Sequence, residues 1–401
     1  MSRPPNILYV HSHDTGRFVQ PYGHPVSTPN LQRFAEQGVL LRQAFCASPT
    51  CSPSRAALLT GQYPHRCGVS GLVGPPWNSE LKAPRHLLMH TLAGAGYLTA
   101  LAGLQHITRK QLEAVRGQGF AMLLNEDNLG EDVPDLHERA ANFIVGAPEE
   151  PWFFSLGFDQ THRDNRQGNL SSGTCFSQTQ PYDPTQLDAR YCLPPPTVPD
   201  LPETRRDIAS FKEGARRLDE RIGHVLAALD ASGRAEETLV IVTTDHGTLC
   251  ELLRLPAPPW LDGKSLLPLV RGEVDTLHEE IFAEQDWHEQ PEPQRTVRTS
   301  RYKYIRRFAP VGPKAANCDE SPTKQLLAAA GFFDRALGDE LLFDLYLDPQ
   351  EACTRVHDPA LAGVCVRLRQ SLDAWMQRTE DPLLSGQPLL PPGLADIGSG
   401  L

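Results

Sequence analysis

The sequence predicts an α/β fold, a large, mostly parallel mixed sheet between helices, followed by a smaller C-terminal sheet with one helix. Three observations predict it. Short β-rich apolar runs alternate with helical patterns through residues 1–272, the order expected of a parallel sheet covered on both faces. The polar clusters "HSHD", "DQTHRD" and "TTDHG" each follow such a run directly, and ligands of open α/β sheets gather at the carboxyl ends of strands. From about residue 275 the pattern changes to closely spaced strand-like segments and then an amphipathic stretch.

Taken in order, "NILYV" (6–10) reads as a buried strand, and 30–45 as an amphipathic helix running into a strand. The segment "SPSRAALLTGQ" is a short helix, with Pro53 in its first turn and Gly61 at its end. Residues 87–103 give helix then strand, and 151–158 another buried strand. Residues 165–205, rich in Pro, Gln, Ser and Thr, form an irregular loop or lid. A long helix at 205–233 precedes the strand "ETLVIVTTDHG" (237–247). "EEIFAEQDW", "RTVRTSRYKYIRRF" and "DELLFDLYLDPQE" supply the second sheet, 361–379 the last helix, and the tail after Asp381 wraps the surface. The domain expectation is 1–272 and 273–401, with no internal repeat.

The formal net charge of -11 argues against nucleic acid as a partner, so an anionic substrate must be attracted locally. Nine cysteines at irregular spacing offer neither a disulfide framework nor a zinc ribbon. No apolar run reaches membrane-spanning length, and no basic segment leads into a long apolar one at the N-terminus. The expectation is a soluble, cytoplasmic protein with no membrane partner.

Asp14 and Asp245 each lie at a strand end, with His13 and His246 beside them. Two carboxylates converging with imidazoles suit a divalent cation. Oxygen ligation favours Ca²⁺ or Mg²⁺, and imidazoles move the preference toward Mn²⁺ or Zn²⁺. The competing reading makes each aspartate a helix cap and each histidine a satisfied loop residue. Their common topological position favours the joint reading. Cys51 sits at a helix start, where backbone N–H groups favour a negative atom, and Arg55 can offer a planar fork to an oxyanion. Burial as a small hydrophobe is the competing fate of an isolated cysteine, but the neighbours here are polar, small or proline.

The stretch "CSPSRAALLTG" resembles the sulfatase signature through Cys51, Pro53, Arg55, Thr60 and Gly61. The resemblance extends through "NILYVHSHD", "FFSLGFDQTHR", "LVIVTTDHG", "GKSLLPLVRG" and "LLFDLYLDPQE", and is nearest to the heparan N-sulfatase branch. It implies an alkaline-phosphatase-like fold and a sulfatase catalytic domain over 1–272. It also implies hydrolysis of a sulfate ester or N-sulfate on a sulfated small molecule or glycan. Cys51 would be converted to Cα-formylglycine by a separate maturation enzyme that reads the Cys-x-Pro-x-Arg segment. The hydrated aldehyde attacks sulfur with one hydroxyl, and the second lets the sulfated intermediate collapse. Carried over by position, the metal set is Asp14, Asp245, His246, His13 and Cys51, with Ca²⁺ first and Mn²⁺ or Mg²⁺ next. The catalytic set is Cys51, Arg55, His106 and His162, with His162 and Arg163 on the substrate.

Three departures from the family pattern stand out. Leu104 occupies the position of a sulfate-binding lysine, and His13 that of a metal carboxylate. Only "TLCELLRLPAPPWLD" separates "DHG" from "GKSLL". Family members carry several dozen residues there, including another sulfate-contacting cation and a strand; Arg254 could at best substitute. These departures keep two alternatives in view: a degenerate homologue with little turnover, and a phosphodiesterase or phosphonate monoester hydrolase on the same scaffold.

Overall fold

A computed structural model describes residues 3–75, 77–164, 175–177, 179–245, 258–288, 291–308, 320–334 and 338–386. Five strands, β1 (Asn6–Ser12), β2 (Leu98–Gly103), β3 (Met122–Leu123), β4 (Trp152–Gly157) and β5 (Thr238–Thr244), form one sheet in the order β3-β2-β4-β1-β5. Every pairing in it is parallel. β1 is buried at all its positions because it lies between β4 and β5 and is covered above and below. Its alternate side chains feed two cores. Leu8 and Val10 pack with Phe154, Leu156, Ile222 and Val225 on one face. Ile7 and Tyr9 pack with Phe153, Ala56, Leu59 and Met89 on the other. The first face is closed by helices Leu136–Val145 and Pro202–Ala231, the second by helices Cys51–Thr60 and Leu88–Gly94.

β5 differs. It has β1 on one side and, among the described residues, no strand on the other, and it is half-buried along its whole length. Residues 246–257, which hold most of the short stretch between "DHG" and "GKSLL", lie outside the described residues.

The strand expected after the first helix does not form. The helix spans Pro29–Glu36, and residues 38–45 run as bends and turns. Val39 is 57% exposed, so the apolar run Val39–Leu41 finds no ladder to join. The helix itself is set by Asp219 of the long helix, whose carboxylate accepts from Asn30 N (3.1 Å) and Leu31 N (2.8 Å) at its first turn.

The second sheet is antiparallel, β6 (Ile281–Trp287), β7 (Pro291–Arg298), β8 (Tyr302–Arg307) and β9 (Glu340–Asp344), in sequence order. "RTVRTSRYKYIRRF" is thus a hairpin, turned where Tyr302 N donates to Thr299 Oγ1 at 2.8 Å. Helix Ala362–Arg378 covers it with Leu368, Leu372 and Trp375 against Val297, Tyr304 and Leu342. β6 also braces the approach to Cys51: Glu284 N donates to Ala47 O (2.8 Å), and Thr50 Oγ1 lies 3.4 Å from Trp287 O. The tail after Gly386 lies outside the described residues. No helix among the described residues is long and apolar enough to cross a membrane.

Candidate active site

The site is assembled where β1, β4 and β5 end beside the start of helix Cys51–Thr60. That helix ends at Gly61 with φ 69, and a Cβ there would strike Leu261. The segment before "GKSLL" is fastened to this end: Asp262 N donates to Gly61 O at 2.8 Å, and the Asp262 carboxylate takes Tyr63 N and pairs with Arg66. The helix is therefore held at both ends, and Cys51 is its first residue, buried.

At the end of β1 the chain turns sharply. Asp14 has φ 61, a left-handed conformation uncommon for a residue with a side chain. The turn points Asp14 N at Asp245 Oδ1 (3.0 Å) and brings Asp14 Oδ1 to 3.9 Å from Cys51 Sγ. Asp245, fully buried, ends β5, and its backbone carbonyl accepts from the Ser54 hydroxyl. Beyond the sheet, the loops after β1 and β4 stay zipped, His13 N to Gln160 O (2.9 Å) and Thr161 N to His13 O (2.6 Å). This pairing sets His162 edge-on to His13, with ring centroids 4.3 Å apart, and His162 Nε2 lies 3.9 Å from Asp14 Oδ2. His106 adopts φ 53 in a loop tied by the Gln105 side chain, which accepts from Ile107 N (2.7 Å) and Thr108 N (3.0 Å).

Arg55 does not face an open oxyanion site. Its Nη1 donates to His11 Nδ1 (2.6 Å), and its Nη2 to Ser12 O (3.2 Å) and Asp245 Oδ2 (3.2 Å). His11 was not anticipated from the sequence. Burial, with the Arg55 charge adding to it, holds its pKa well below the ordinary histidine value. It is therefore a neutral acceptor at Nδ1, with Nε2 3.4 Å from Ser155 Oγ. Gly157 leaves room for this ring, since a Cβ there would come within 2.4 Å of His11. The signal was a histidine inside an otherwise apolar strand, four residues before a charged turn.

His13 Nδ1 lies 3.3 Å from Asp14 Oδ1 and 3.4 Å from Asp245 Oδ2, yet it is buried and aligned for a hydrogen bond to neither. Burial opposes a charge on His13, but Cys51, Asp14 and Asp245 outweigh it and hold its pKa well above the ordinary value. Ligand atoms of His13, Asp14, Cys51 and Asp245 all lie within 4.8 Å of one another, and those of His13, Cys51 and His106 do likewise. Two carboxylates, a ring nitrogen and a sulfur whose ligand atoms lie within 4.8 Å of one another are a donor set that fits a divalent ion. Burial pushes the His106 pKa well below the ordinary value, and the positive neighbours His13 and Arg55 add to it, so its ring is neutral and its Nδ1 unbonded.

Of the residues singled out in the sequence, the structure brings together Cys51, Arg55, Asp14, Asp245, His13, His106 and His162. Arg163 is turned to other partners. It pairs with Asp207 of the long helix at 3.0 Å and lies over the Phe176 ring at 4.4 Å. His246 and Arg254 lie outside the described residues. Leu104 is buried, with its backbone N donating to Gly157 O at 2.9 Å. The sequence reading also missed Arg221 of the long helix, which grips Asp132 in bidentate fashion (2.6 and 2.7 Å) and takes Gln160 Oε1 at 2.8 Å. Asp132 in turn accepts from Asp159 N (2.9 Å), so this buried pair holds the loop that carries His162.

A parallel α/β sheet with an acidic, histidine-rich pocket and a helix-start cysteine at its carboxyl end defines the alkaline-phosphatase-like class. The sulfatase family model matches residues 5–270, and the chain belongs to the sulfatase family, hydrolases of sulfate esters or sulfamates. Human N-sulphoglucosamine sulphohydrolase is 25% identical over 95% of this chain and 91% of its own length. An ulvan-active sulfatase from Formosa agariphila is 23% identical over 94% of this chain and 75% of its own length. The crystal structure of a sulfatase-family protein from Bacteroides thetaiotaomicron superposes with a TM-score of 0.69 at 20% identity, covering 96% of this chain and 94% of that one.

Proposed function

We propose that the chain releases sulfate from an O-sulfated or N-sulfated sugar, using Cys51 matured to formylglycine and a divalent cation held by Asp14, Asp245 and His13. The observation that carries this reading is the meeting of Cys51 at a helix start with Asp14, 3.9 Å away, and with Asp245 and His13 beside them. The sugar-sulfate activities named for the human and Formosa relatives support the substrate class.

Matured and hydrated, residue 51 supplies a geminal diol as nucleophile, and the cation supplies positive charge against the sulfuryl oxygens. This chain's own residues do the rest. Free backbone N–H groups at the helix start favour an anion beside residue 51. Arg55 keeps Asp245 oriented, a positioning role set by its 3.2 Å contact. His106, neutral through burial, can accept or return a proton at the leaving atom, and His162 lines the other side. His246 stays in the proposed metal set by position alone, and Arg163 leaves the proposed substrate set because Asp207 engages it. The catalytic unit proposed is 1–272, buttressed by 273–401, with the maturation enzyme as the one protein partner.

Mass spectrometry of the Cys51 peptide from the native host tests maturation, and sulfate release from glucosamine N-sulfate and 6-O-sulfate tests the reaction. Aldehyde at residue 51 with sulfate release is expected. A thiol throughout with no sulfate released would sink the reading, and cleavage of an aryl phosphodiester alone would replace it with the phosphodiesterase alternative.

A further inference from the structure

We infer that Arg17 and Arg298 form an anion subsite on the rim beyond Asp14, which holds a second carboxylate or sulfate group of the same substrate. The inference rests on the proposed sugar-sulfate reaction and names the substrates it favours: acidic sugars that carry another anionic group besides the sulfate removed.

Two arginines from opposite halves of the molecule meet there. Arg17 lies three residues beyond Asp14, so their Cα atoms are within about 11 Å of each other. Arg298 is the last residue of β7 in the C-terminal sheet. The chain leading to Cys51 joins them. Tyr22 Oη, in the loop that carries Arg17, donates to Leu41 O at 3.2 Å. Four residues on, the Phe45 ring lies under the Arg298 guanidinium, 4.6 Å from its centre. The Arg17 charge is felt at both ends of this tether. It opposes the burial that raises the Tyr22 pKa, and it joins the burial that lowers the Arg298 pKa, against the pull of Glu351.

What the pair lacks is matching acid. Among the described residues Arg17 is exposed and pairs with no carboxylate. Arg298, its side chain 26% exposed, has Glu351 at 4.0 Å, and that carboxylate is already engaged by Lys303 at 2.7 Å. Three cations thus have one carboxylate between them, in a chain of net charge -11. A solvated surface position is the ordinary fate of an arginine such as Arg17. Arg298 is different, because most of it is out of water and its charge is poorly matched. A ring against its face leaves the in-plane N–H groups of a guanidinium available to an oxyanion. An anion between the two guanidiniums would relieve their repulsion and accept from both. Such an excess of positive charge also attracts an anionic substrate locally, against the overall sign.

The test is a binding ratio. The full-length Cys51→Ala chain, in which turnover should be lost, is titrated by calorimetry with glucosamine 6-O-sulfate, with glucosamine 2-N,6-O-disulfate, and with a disaccharide joining a uronic acid to glucosamine 6-O-sulfate. At low salt at least one doubly anionic probe should bind about tenfold tighter than the monosulfate, and the margin should shrink at about 0.5 M NaCl. Preference for the disulfate identifies sulfate as the second group, and preference for the uronate disaccharide identifies carboxylate. Arg17→Gln and Arg298→Gln should each reduce the margin by about threefold or more. Should Arg298→Gln fail to fold, the exposed Arg17→Gln carries the test, and Arg17→Lys should keep part of the margin through charge alone. Failure of both doubly anionic probes to bind more tightly, or a margin indifferent to both arginines, would overturn the inference. Kinetics of the matured wild type separate it from the reaction. Sulfate release with no such margin overturns the inference alone, and an arginine-dependent margin with no sulfate released overturns the reaction alone.

Discussion

The molecule buries two acidic clusters, and they are built on opposite plans. Behind the signature helix, Glu284, Asp286 and Asp381 converge on Arg295, which pairs with Asp381 (2.5 Å) and Asp286 (2.9 Å). His65 completes it, bonding Glu284 through both its backbone N (2.6 Å) and its Nδ1 (2.5 Å). This cluster spans the helix after Gly61, strands β6 and β7, and the end of helix Ala362–Arg378, so it rivets the C-terminal sheet to the catalytic half. At the proposed reaction site, Arg55 pairs with Asp245 at 3.2 Å, and His13 Nδ1 lies 3.3 Å from Asp14 and 3.4 Å from Asp245. A cluster that brings its own cations serves cohesion. One that gathers two carboxylates, histidines and a cysteine at the carboxyl end of a sheet has the donor set of a ligand site.

The comparison can be broken most forcefully at the reaction site. Cys51→Ala should lower sulfate release by at least about 1,000-fold, as expected for loss of the nucleophile, with denaturant unfolding little changed. Near-normal turnover would remove Cys51 from the mechanism. At the rivet the outcome inverts. Arg295→Met leaves three buried carboxylates with His65 alone and should cost about 3–5 kcal/mol of stability in urea unfolding. A loss within experimental error would show that the cluster does not hold the halves together.

Leu104→Lys tests whether a cation at this position aids the proposed reaction: it should raise kcat/KM for a sulfate ester by up to about tenfold, and a fall would mean that the buried Leu104 is needed for packing.

The smallest effect is in the pH dependence of the rivet. Burial drives the Asp286 carboxyl up to about 6, Glu284 and Asp381 pushing the same way and Arg295 opposing them. A carboxyl with a raised folded-state pKa binds protons more readily folded than unfolded, so it stabilises the fold as pH drops from about 6 toward 4. His65, raised by Glu284 against its own burial, adds stability below its unfolded pKa that fades as pH climbs through its folded value. Glu284 is shifted down by His65 and Arg295 in spite of burial, and loses its contribution only in stronger acid. Thermal melts should therefore show a gain of a few degrees from pH 7.5 to 5.5 in the wild type that is reduced in Asp286→Asn; an unchanged slope would acquit Asp286.

Much of this was readable beforehand, for identifiable reasons. β1 and β4 were legible as short, unbroken apolar runs, and the long helix through its sustained helical periodicity. Cys51, Asp14 and Asp245 were legible because each sits beside a strand or helix boundary. Val39–Leu41 misled because β propensity needs a partner strand that local sequence does not report. His11, Arg221 and Arg295 were missed because their value lies in contacts 44, 89 and 86 residues away in the chain. Arg163 shows the reverse: its neighbour His162 lies beside Asp14, while the Arg163 guanidinium pairs with Asp207, a contact 44 residues away that local sequence does not report.

Asp245 follows a strand that is half-buried along its length, whereas Asp14 follows one buried at every position. Backbone amides of Thr238–Thr244 should exchange with deuterium sooner than those of Asn6–Ser12, and chelators should widen the difference. Fraying at that margin would carry Asp245 away from the proposed cation while the interior is still solid, so turnover should fail on warming well before the protein melts.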